Sequence, residues 1–142
     1  MKPFLSGLIC YLLAAAPLLA VSNDEVTARR LAYEIAGAFT NDGFKLRDAC
    51  WSGKFEAKKS QVLQVNLYAG NQYWFSLAAT EGARKVAVSI YDETGKPLAF
   101  EPYADEGKAA AGFAPATSGS YYIKVEELEG TSATFCLLYS YK

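Results

Sequence analysis

Apolar and polar residues alternate along several short segments of this chain, most clearly in the segment that begins at Tyr73. Tyr73, Phe75 and Leu77 fall on one side of an extended chain there, and Trp74 and Ser76 fall on the other. A period of two residues is typical of a β-strand that buries one face. Because three large apolar side chains on one face require a second layer to cover them, this segment predicts a strand in a layered sheet protein.

The same pattern recurs downstream at short intervals. It is found in residues 61–67, 86–91, 121–125 and 133–141, and more weakly in residues 44–48, 51–55, 97–100 and 109–113. Residues 101–108 are polar and predict a loop. About eight short strands at regular spacing predict a mainly β fold, an antiparallel β-sandwich of jelly-roll type.

A different period precedes the strands. Apolar residues recur at helical spacing at Ala28, Leu31, Ala32, Ile35, Ala36 and Phe39. This pattern predicts one amphipathic helix, with Asn23 or Asp24 as its N-cap and Gly43 just past its end. The apolar stripe either packs on the sandwich or docks onto another protein. We favour packing on its own domain, because an exposed stripe of this size promotes aggregation.

The first 22 residues have the pattern of a secretory signal peptide. Lys2 precedes an uncharged apolar run, and Ala20 and Ser22 are small residues placed where signal peptidase requires them. The run covers residues 8–20, too few for a membrane span of about 20 residues. We therefore expect a secreted or periplasmic chain with no stable membrane span after cleavage. Its parts are a signal peptide (1–22), a helix (23–43) and a sandwich domain (44–142).

Two cysteines, Cys50 and Cys136, follow the predicted signal peptide. In an oxidising compartment an even count favours one disulfide. Two separate buried thiols are the alternative, since free cysteine packs as a small apolar group. The sequence leaves both open.

Charge and composition exclude several classes of function. The formal net charge is -1, which gives no electrostatic basis for binding nucleic acid. The chain contains no histidine, so it lacks the commonest general base and the commonest zinc ligand. We predict a protein that is not an enzyme and that uses no cofactor.

Acidic residues group in two of the predicted connections. Asp92 lies in a turn, and Asp105 and Glu106 lie in the polar segment. Calcium requires six to eight oxygen ligands, and these acids are the only weak candidates for such a site. Acids in turns are usually solvated, so we predict no metal site.

Aromatic residues are the most promising candidates for ligand binding, at 14% of the chain. We select Trp74, Tyr103 and Tyr122, since flat rings stack on sugar faces or cover apolar side chains of a peptide. Ordinary cross-strand packing is the alternative for Trp74 and Tyr122. Tyr103 lies in the polar segment and is the candidate most expected to be exposed.

Three segments resemble the bacterial pre-peptidase C-terminal domain, a small jelly-roll β-sandwich found on secreted proteins. The resemblance lies in the Gly turn and aromatic strand of residues 67–75, the Tyr-Asp strand end of residues 88–95 and the Ser-Gly-x-Tyr-Tyr strand of residues 115–125. It implies a non-catalytic accessory domain with no particular ligand.

These observations predict a non-catalytic secreted or periplasmic binding or interaction module. Its partner would be a protein or a glycan, contacted through an outer aromatic face and the loop around Tyr103. The alternative is a structural subunit of an envelope assembly that docks through its N-terminal helix. The sequence does not indicate an oligomeric state.

Overall fold

The computed structural model describes residues 22–56 and 59–142, so nearly all of the predicted signal peptide lies outside the described residues. The described residues form one helix and eight strands: α1 (Asn23–Thr40), β1 (Lys45–Phe55), β2 (Ser60–Leu67), β3 (Tyr73–Ala79), β4 (Ala83–Tyr91), β5 (Glu101–Asp105), β6 (Lys108–Phe113), β7 (Gly119–Gly130) and β8 (Ala133–Tyr141). Within these two ranges, no helix is long and apolar enough to cross a membrane.

The strands form two antiparallel sheets. One has five strands in the order β1-β8-β3-β6-β5, and the other has three in the order β2-β7-β4. Strands from the two ends of the chain pair in a nested way, β1 with β8, β2 with β7 and β3 with β6. Nested antiparallel pairing across two sheets is the jelly-roll pattern, so the predicted fold class is confirmed.

The inner face of the five-stranded sheet packs on the three-stranded sheet. Phe75 and Leu77 of β3 are fully buried there together with Ile123 of β7. Phe55 and Phe135 stack in the same core with ring centroids 4.5 Å apart. The alternation that begins at Tyr73 therefore marks the side of β3 that faces the second sheet.

The helix α1 starts one residue earlier than the sequence predicted. Ser22 is its N-cap, and the Ser22 hydroxyl oxygen accepts a hydrogen bond from the Glu25 N–H at 3.2 Å. The prediction of Asn23 or Asp24 as the N-cap is wrong, because serine satisfies the same unpaired backbone donor. Ser22 is also the last residue of the predicted signal peptide, so cleavage before Asn23 removes this cap.

The end of α1 is closed by a Schellman motif, as the position of Gly43 predicted. The Phe44 N–H donates to the Phe39 carbonyl at 3.4 Å, and the Gly43 N–H donates to the Thr40 carbonyl at 3.1 Å. Gly43 has a φ of 89°, which a glycine adopts without steric cost. The rings of Phe39 and Phe44 lie 6.4 Å apart, which is the apolar contact that accompanies this motif.

The apolar stripe of α1 packs on the outer face of the five-stranded sheet. Ala28, Ala32 and Ala36 are buried there in one cluster with Ala78 and Leu138. Small helix residues allow close approach to the sheet, so the molecule has three layers: helix, five strands and three strands.

A disulfide lies in the same layer as α1. The structure joins Cys50 of β1 to Cys136 of β8, with their Cα atoms 6.5 Å apart. Both residues belong to the cluster that α1 covers. The bond therefore ties an edge strand of the five-stranded sheet to its neighbour beneath the helix.

Two sequence predictions about the middle of the chain are wrong. Residues 97–100 form no strand and make only an isolated bridge between Pro97 and Tyr91. Residues 101–105, predicted as part of a polar loop, form β5 and pair with β6. All five residues of β5 are exposed, so this strand carries no alternation of apolar and polar residues to reveal it.

Candidate functional site

A cleft opens where α1 stops covering the five-stranded sheet. The helix lies mainly over β1, β8 and β3 and also covers Ala110 of β6, whereas β5 extends beyond it. The cleft has a volume of about 290 Å³ and is lined by Glu34, Ile35, Ala38 and Phe39 of α1, Tyr103 of β5 and Lys108 of β6. Four of these lining residues are apolar or aromatic, and the other two, Glu34 and Lys108, are charged.

A second cleft continues along the same side of α1. It has a volume of about 440 Å³ and is lined by Thr27 and Leu31 of α1, the turn at Gly107 and again Lys108, among others. Lys108 borders both clefts, and we call the two together the α1–β5 groove. Twelve helix positions separate Thr27 from Phe39, so at 1.5 Å per residue the groove is about 18 Å long.

The Phe39 end of the groove rests on Trp74, which packs against β6. A side chain at Gly112 would meet the Trp74 ring at 2.8 Å, so glycine is needed for the indole to lie against β6. Trp74 in turn stacks on Phe39, with ring centroids 4.2 Å apart and planes 8° from parallel. Trp74 is therefore covered by α1 and holds Phe39 in position in the groove wall.

The outer wall of the groove is one side of β5. Tyr103 is 45% exposed and faces α1 across the cleft. Since alternate residues of a strand share a side, Glu101 and Asp105 lie on the same side as Tyr103. The wall thus presents an exposed aromatic ring between two carboxylates.

Carboxylates predominate around the groove. The acidic side chains on its lining and outer wall are Glu34, Glu81, Glu101, Asp105 and Glu106, and the basic ones are Lys108 and Arg30. Arg30 is already paired with Glu34 at 2.6 Å. The groove is consequently apolar at its centre and negatively charged at its rim.

Tyr122 lies on the opposite side of the molecule. It projects from β7 on the outer face of the three-stranded sheet, paired with Tyr91 of β4 and Gln64 of β2. Lys124 lies on the same face, its ammonium 6.0 Å from the centre of the Tyr91 ring. Trp74, Tyr103 and Tyr122 therefore do not form one aromatic face, and only Tyr103 lines the groove directly.

The acidic turns that the sequence offered as weak calcium candidates do not come together. One Asp92 carboxylate oxygen accepts hydrogen bonds from the Thr94 N–H, the Thr94 hydroxyl and the Lys96 N–H at 2.9, 2.7 and 2.9 Å. These bonds, led by that from the Thr94 hydroxyl, lower the pKa of Asp92. Its role in the structure is to close its own turn.

The other two candidates lie at the opposite end of β4 from Asp92. Asp105 and Glu106 belong to the β5–β6 turn, in which the Gly107 N–H donates to the Arg84 carbonyl near the start of β4. Across residues 22–56 and 59–142, no three acidic, cysteine or histidine side chains group closely enough to hold a metal ion.

Two buried side-chain oxygens in the described part of the chain have no hydrogen-bond partner. One is the hydroxyl of Ser76 and the other is a carboxylate oxygen of Glu127. Burial raises the pKa of Glu127. Neither residue lines the groove.

Sequence reasoning found Tyr103 but missed the rest of the groove. Ile35 and Phe39 belong to the helix stripe, which indicated core packing, and Lys108 carried no signal. An aromatic residue within a polar segment was the one local sign of the site. The partial cover of the sheet by α1 depends on strand order, which no local pattern encodes.

Comparisons with known proteins do not place the chain in a family. No family model matches it, and no curated protein matches it. The resemblance to the pre-peptidase C-terminal domain therefore stays a prediction. Among solved structures, the fold is similar to that of Aeromonas hydrophila PliG, described as a periplasmic lysozyme inhibitor of g-type lysozyme. The two are 17% identical with a TM-score of 0.49, over 66% of this chain and 85% of that chain. This likeness is too distant to assign a function.

Proposed function

We propose that the chain is a non-catalytic protein-binding module that works outside the cytoplasm and binds its partner in the α1–β5 groove. The observation that carries this proposal is the open apolar cleft between Tyr103 and the α1 residues Ile35 and Phe39. Exposed apolar surface rimmed by polar residues is typical of a protein interaction site.

The residue inventory supports a non-catalytic role. The whole sequence contains no histidine, so a serine nucleophile would lack its usual base. Cys50 and Cys136 are joined to each other rather than free as nucleophiles. The candidate acids Asp92 and Asp105 lie in separate turns instead of facing one another across a cleft.

The disulfide supports a location outside the cytoplasm. Disulfides form and persist in oxidising compartments such as the periplasm and the extracellular space. The signal-peptide pattern of residues 1–22 agrees with this location.

The packing of α1 disfavours the alternative of a subunit docked through its helix stripe. That stripe is buried against Ala78 and Leu138 of the same chain. What α1 offers to another protein is the side that faces the groove, including Ala38 and Phe39.

Site-specific photo-crosslinking tests the proposal. A benzophenone amino acid replaces Tyr103 in the groove or, as the control, Val62, which is 56% exposed on β2 in the other sheet. The protein captured at position 103 in the source cells is identified by mass spectrometry, purified and titrated by calorimetry against the unlabelled chain. We expect capture at position 103 and not at position 62.

Affinity measurements with the purified partner complete the test. We expect Tyr103→Ala to weaken binding at least about tenfold, because an aromatic anchor in an interface contributes about 2 kcal/mol or more. Val62→Ala should leave the affinity unchanged. Ala38→Arg, which places a long charged side chain in the cleft, should weaken binding as well. Equal capture at both positions, or an affinity that neither Tyr103→Ala nor Ala38→Arg alters, would refute the groove as the binding site.

A further inference from the structure

Resting on the proposed function, we infer that the partner enters the α1–β5 groove with a cationic amphipathic helix about three turns long. Four features support this inference: the dimensions of the groove, the poor suitability of the β5 edge for strand pairing, the spacing of the apolar positions of α1, and the charge of the rim.

The part of the sheet beside α1 has the size of one helix. The helix α1 lies mainly over β8 and β3, so the next two strands, β6 and β5, give a width of about 10 Å at 4.7–4.9 Å per strand. Ala110 of β6 is already buried at the margin of α1, and all of β5 is exposed. An α-helix with its side chains is about 10–12 Å across, and one of three turns covers the groove length of about 18 Å. A partner helix can therefore lie beside α1 on the same sheet, as helices pack side by side in layered folds.

The free edge of β5 is poorly suited to pairing with a partner strand. The strand has five residues, and Pro102 lacks the N–H that a ladder needs. Glu101 and Asp105 place a charge at each end. Short strands that carry proline and charged residues are how proteins block edge pairing, so side-chain docking on the face is favoured over strand addition.

The apolar positions of α1 along the groove fix the spacing of the partner's anchors. Leu31 lines one cleft and Ala38 lines the other. Seven residues separate them on α1, or about 10 Å along the helix axis. A partner helix would match this distance with apolar residues at positions i and i+7, supplemented at i+3 or i+4.

The rim determines the charge of the partner's helix. Five acidic side chains surround the groove against two basic ones, and the Arg30–Glu34 pair cancels one of each sign, which leaves four carboxylates against Lys108. Lys or Arg residues flanking the apolar anchors would meet Glu101 and Asp105 on the outer wall. Complementary charge of this kind increases the association rate and makes binding sensitive to salt.

Two synthetic helical peptides test the inference on the full, disulfide-bonded chain. Each has about 14 residues with Leu at the anchor positions, and the flanking positions are Lys in one peptide and Glu in the other. Binding is followed by fluorescence anisotropy of the labelled peptide and mapped by amide chemical shifts. We expect the Lys peptide to bind with shifts centred on Leu31, Ala38 and Tyr103, and the Glu peptide not to bind.

Salt dependence and charge reversal separate the rim from the apolar centre. The affinity of the Lys peptide should fall at least about tenfold between about 50 and 300 mM salt. Exchanging Glu101 and Asp105 for Lys should weaken the Lys peptide and create binding of the Glu peptide. The matched control exchanges Glu93 and Glu129, which are exposed outside the groove, for Lys and should change neither affinity.

The outcomes distinguish this inference from the proposed function. Equal groove binding of both peptides without salt dependence, or no binding of the Lys peptide at all, overturns the cationic helix but leaves the groove as a protein site. Lys-peptide shifts centred on Tyr122 overturn it as well. The proposed function itself fails on different results, namely equal crosslinking at positions 103 and 62 or a partner affinity that neither Tyr103→Ala nor Ala38→Arg alters.

Discussion

The two halves of the outer face of the five-stranded sheet differ in what covers them. Over β1, β8 and β3, the helix buries Ala78 and Leu138 completely, and the disulfide lies beneath it. Beyond the helix, all of β5 is exposed and Tyr103 is 45% accessible. One sheet thus combines a sealed half that stabilises the fold with an open half that is available for binding.

The burial of residues along β8 and β5 shows how large this difference is. Eight successive residues of β8, from Ala133 to Ser140, are buried, because both sides of the strand are covered. No residue of β5 is buried. A sheet can therefore change from buried core to exposed surface within two strands. Five predictions test how sharp that boundary is.

Removal of the disulfide should have the largest effect. The bond closes a loop with a sequence separation of 86 residues under α1, and in the entropic view such a crosslink is worth about 4 kcal/mol. We expect the Cys50→Ala, Cys136→Ala double variant to lose about that much free energy of unfolding in urea titrations. Reducing agent should bring the wild-type chain to a similar midpoint. Unchanged midpoints in both experiments would show that the sealed half does not depend on the bond.

Leu138→Ala should have the next largest effect. Leu138 is fully buried between β8 and α1, and a Leu→Ala cavity in a core costs about 2–5 kcal/mol. Chemical denaturation followed by circular dichroism measures the loss. A cost below about 1 kcal/mol would mean that α1 is only loosely attached to the sheet.

Gly43→Ala tests the end of α1 that holds Phe39 against the groove. A Cβ there would approach Lys142 no closer than 3.8 Å, so the cost comes from the positive φ and should be about 1–2 kcal/mol. Gly37 is the matched control, because its added Cβ meets nothing within 4 Å. Gly37→Ala lies inside α1 and should stabilise by up to about 1 kcal/mol. Thermal melts that shift both variants in the same direction would contradict this explanation.

Glu127→Gln tests a buried carboxylate on β7, in the three-stranded sheet, for comparison with the variants of the five-stranded sheet. Burial raises the pKa of Glu127 in the folded state, so its ionised form opposes folding. That penalty is absent below the unfolded pKa of about 4.3 and develops as pH rises through the folded value. We expect the variant to be more stable than wild type at pH 7 by up to about 1 kcal/mol, and equal to it near pH 3. A gain that persists at pH 3 would assign the effect to something other than charge.

Tyr103→Ala should have the smallest effect on stability. The ring is 45% exposed on the open half, and substitutions at such positions usually change stability by less than about 0.5 kcal/mol. Equilibrium denaturation of this variant beside Leu138→Ala gives the direct contrast between the two halves. A loss comparable to that of Leu138→Ala would make Tyr103 a core residue and remove the basis of the groove.

The regular spacing of apolar residues made most of the fold predictable from the sequence. The helix and the strand of residues 133–141 were predicted nearly to their observed ends, because each shows a regular apolar spacing. β5 was missed since Glu101, Tyr103 and Asp105 share an uncovered side and show no burial pattern. The groove also depends on β5 lying beyond β6 instead of beside β4, and the strand order that decides this is a property of the whole chain.

The stacking of Trp74 on Phe39 gives the molecule an intrinsic optical reporter. The chain has two tryptophans, and Trp51 stacks on Tyr139, with centroids 5.5 Å apart, against the core between the sheets. Phe39 is both the stacking partner of Trp74 and a lining residue of the cleft. Replacing Trp51 with Phe would leave Trp74 as the single indole. Its emission would then register movement of Phe39 without a label on the protein or on a bound partner.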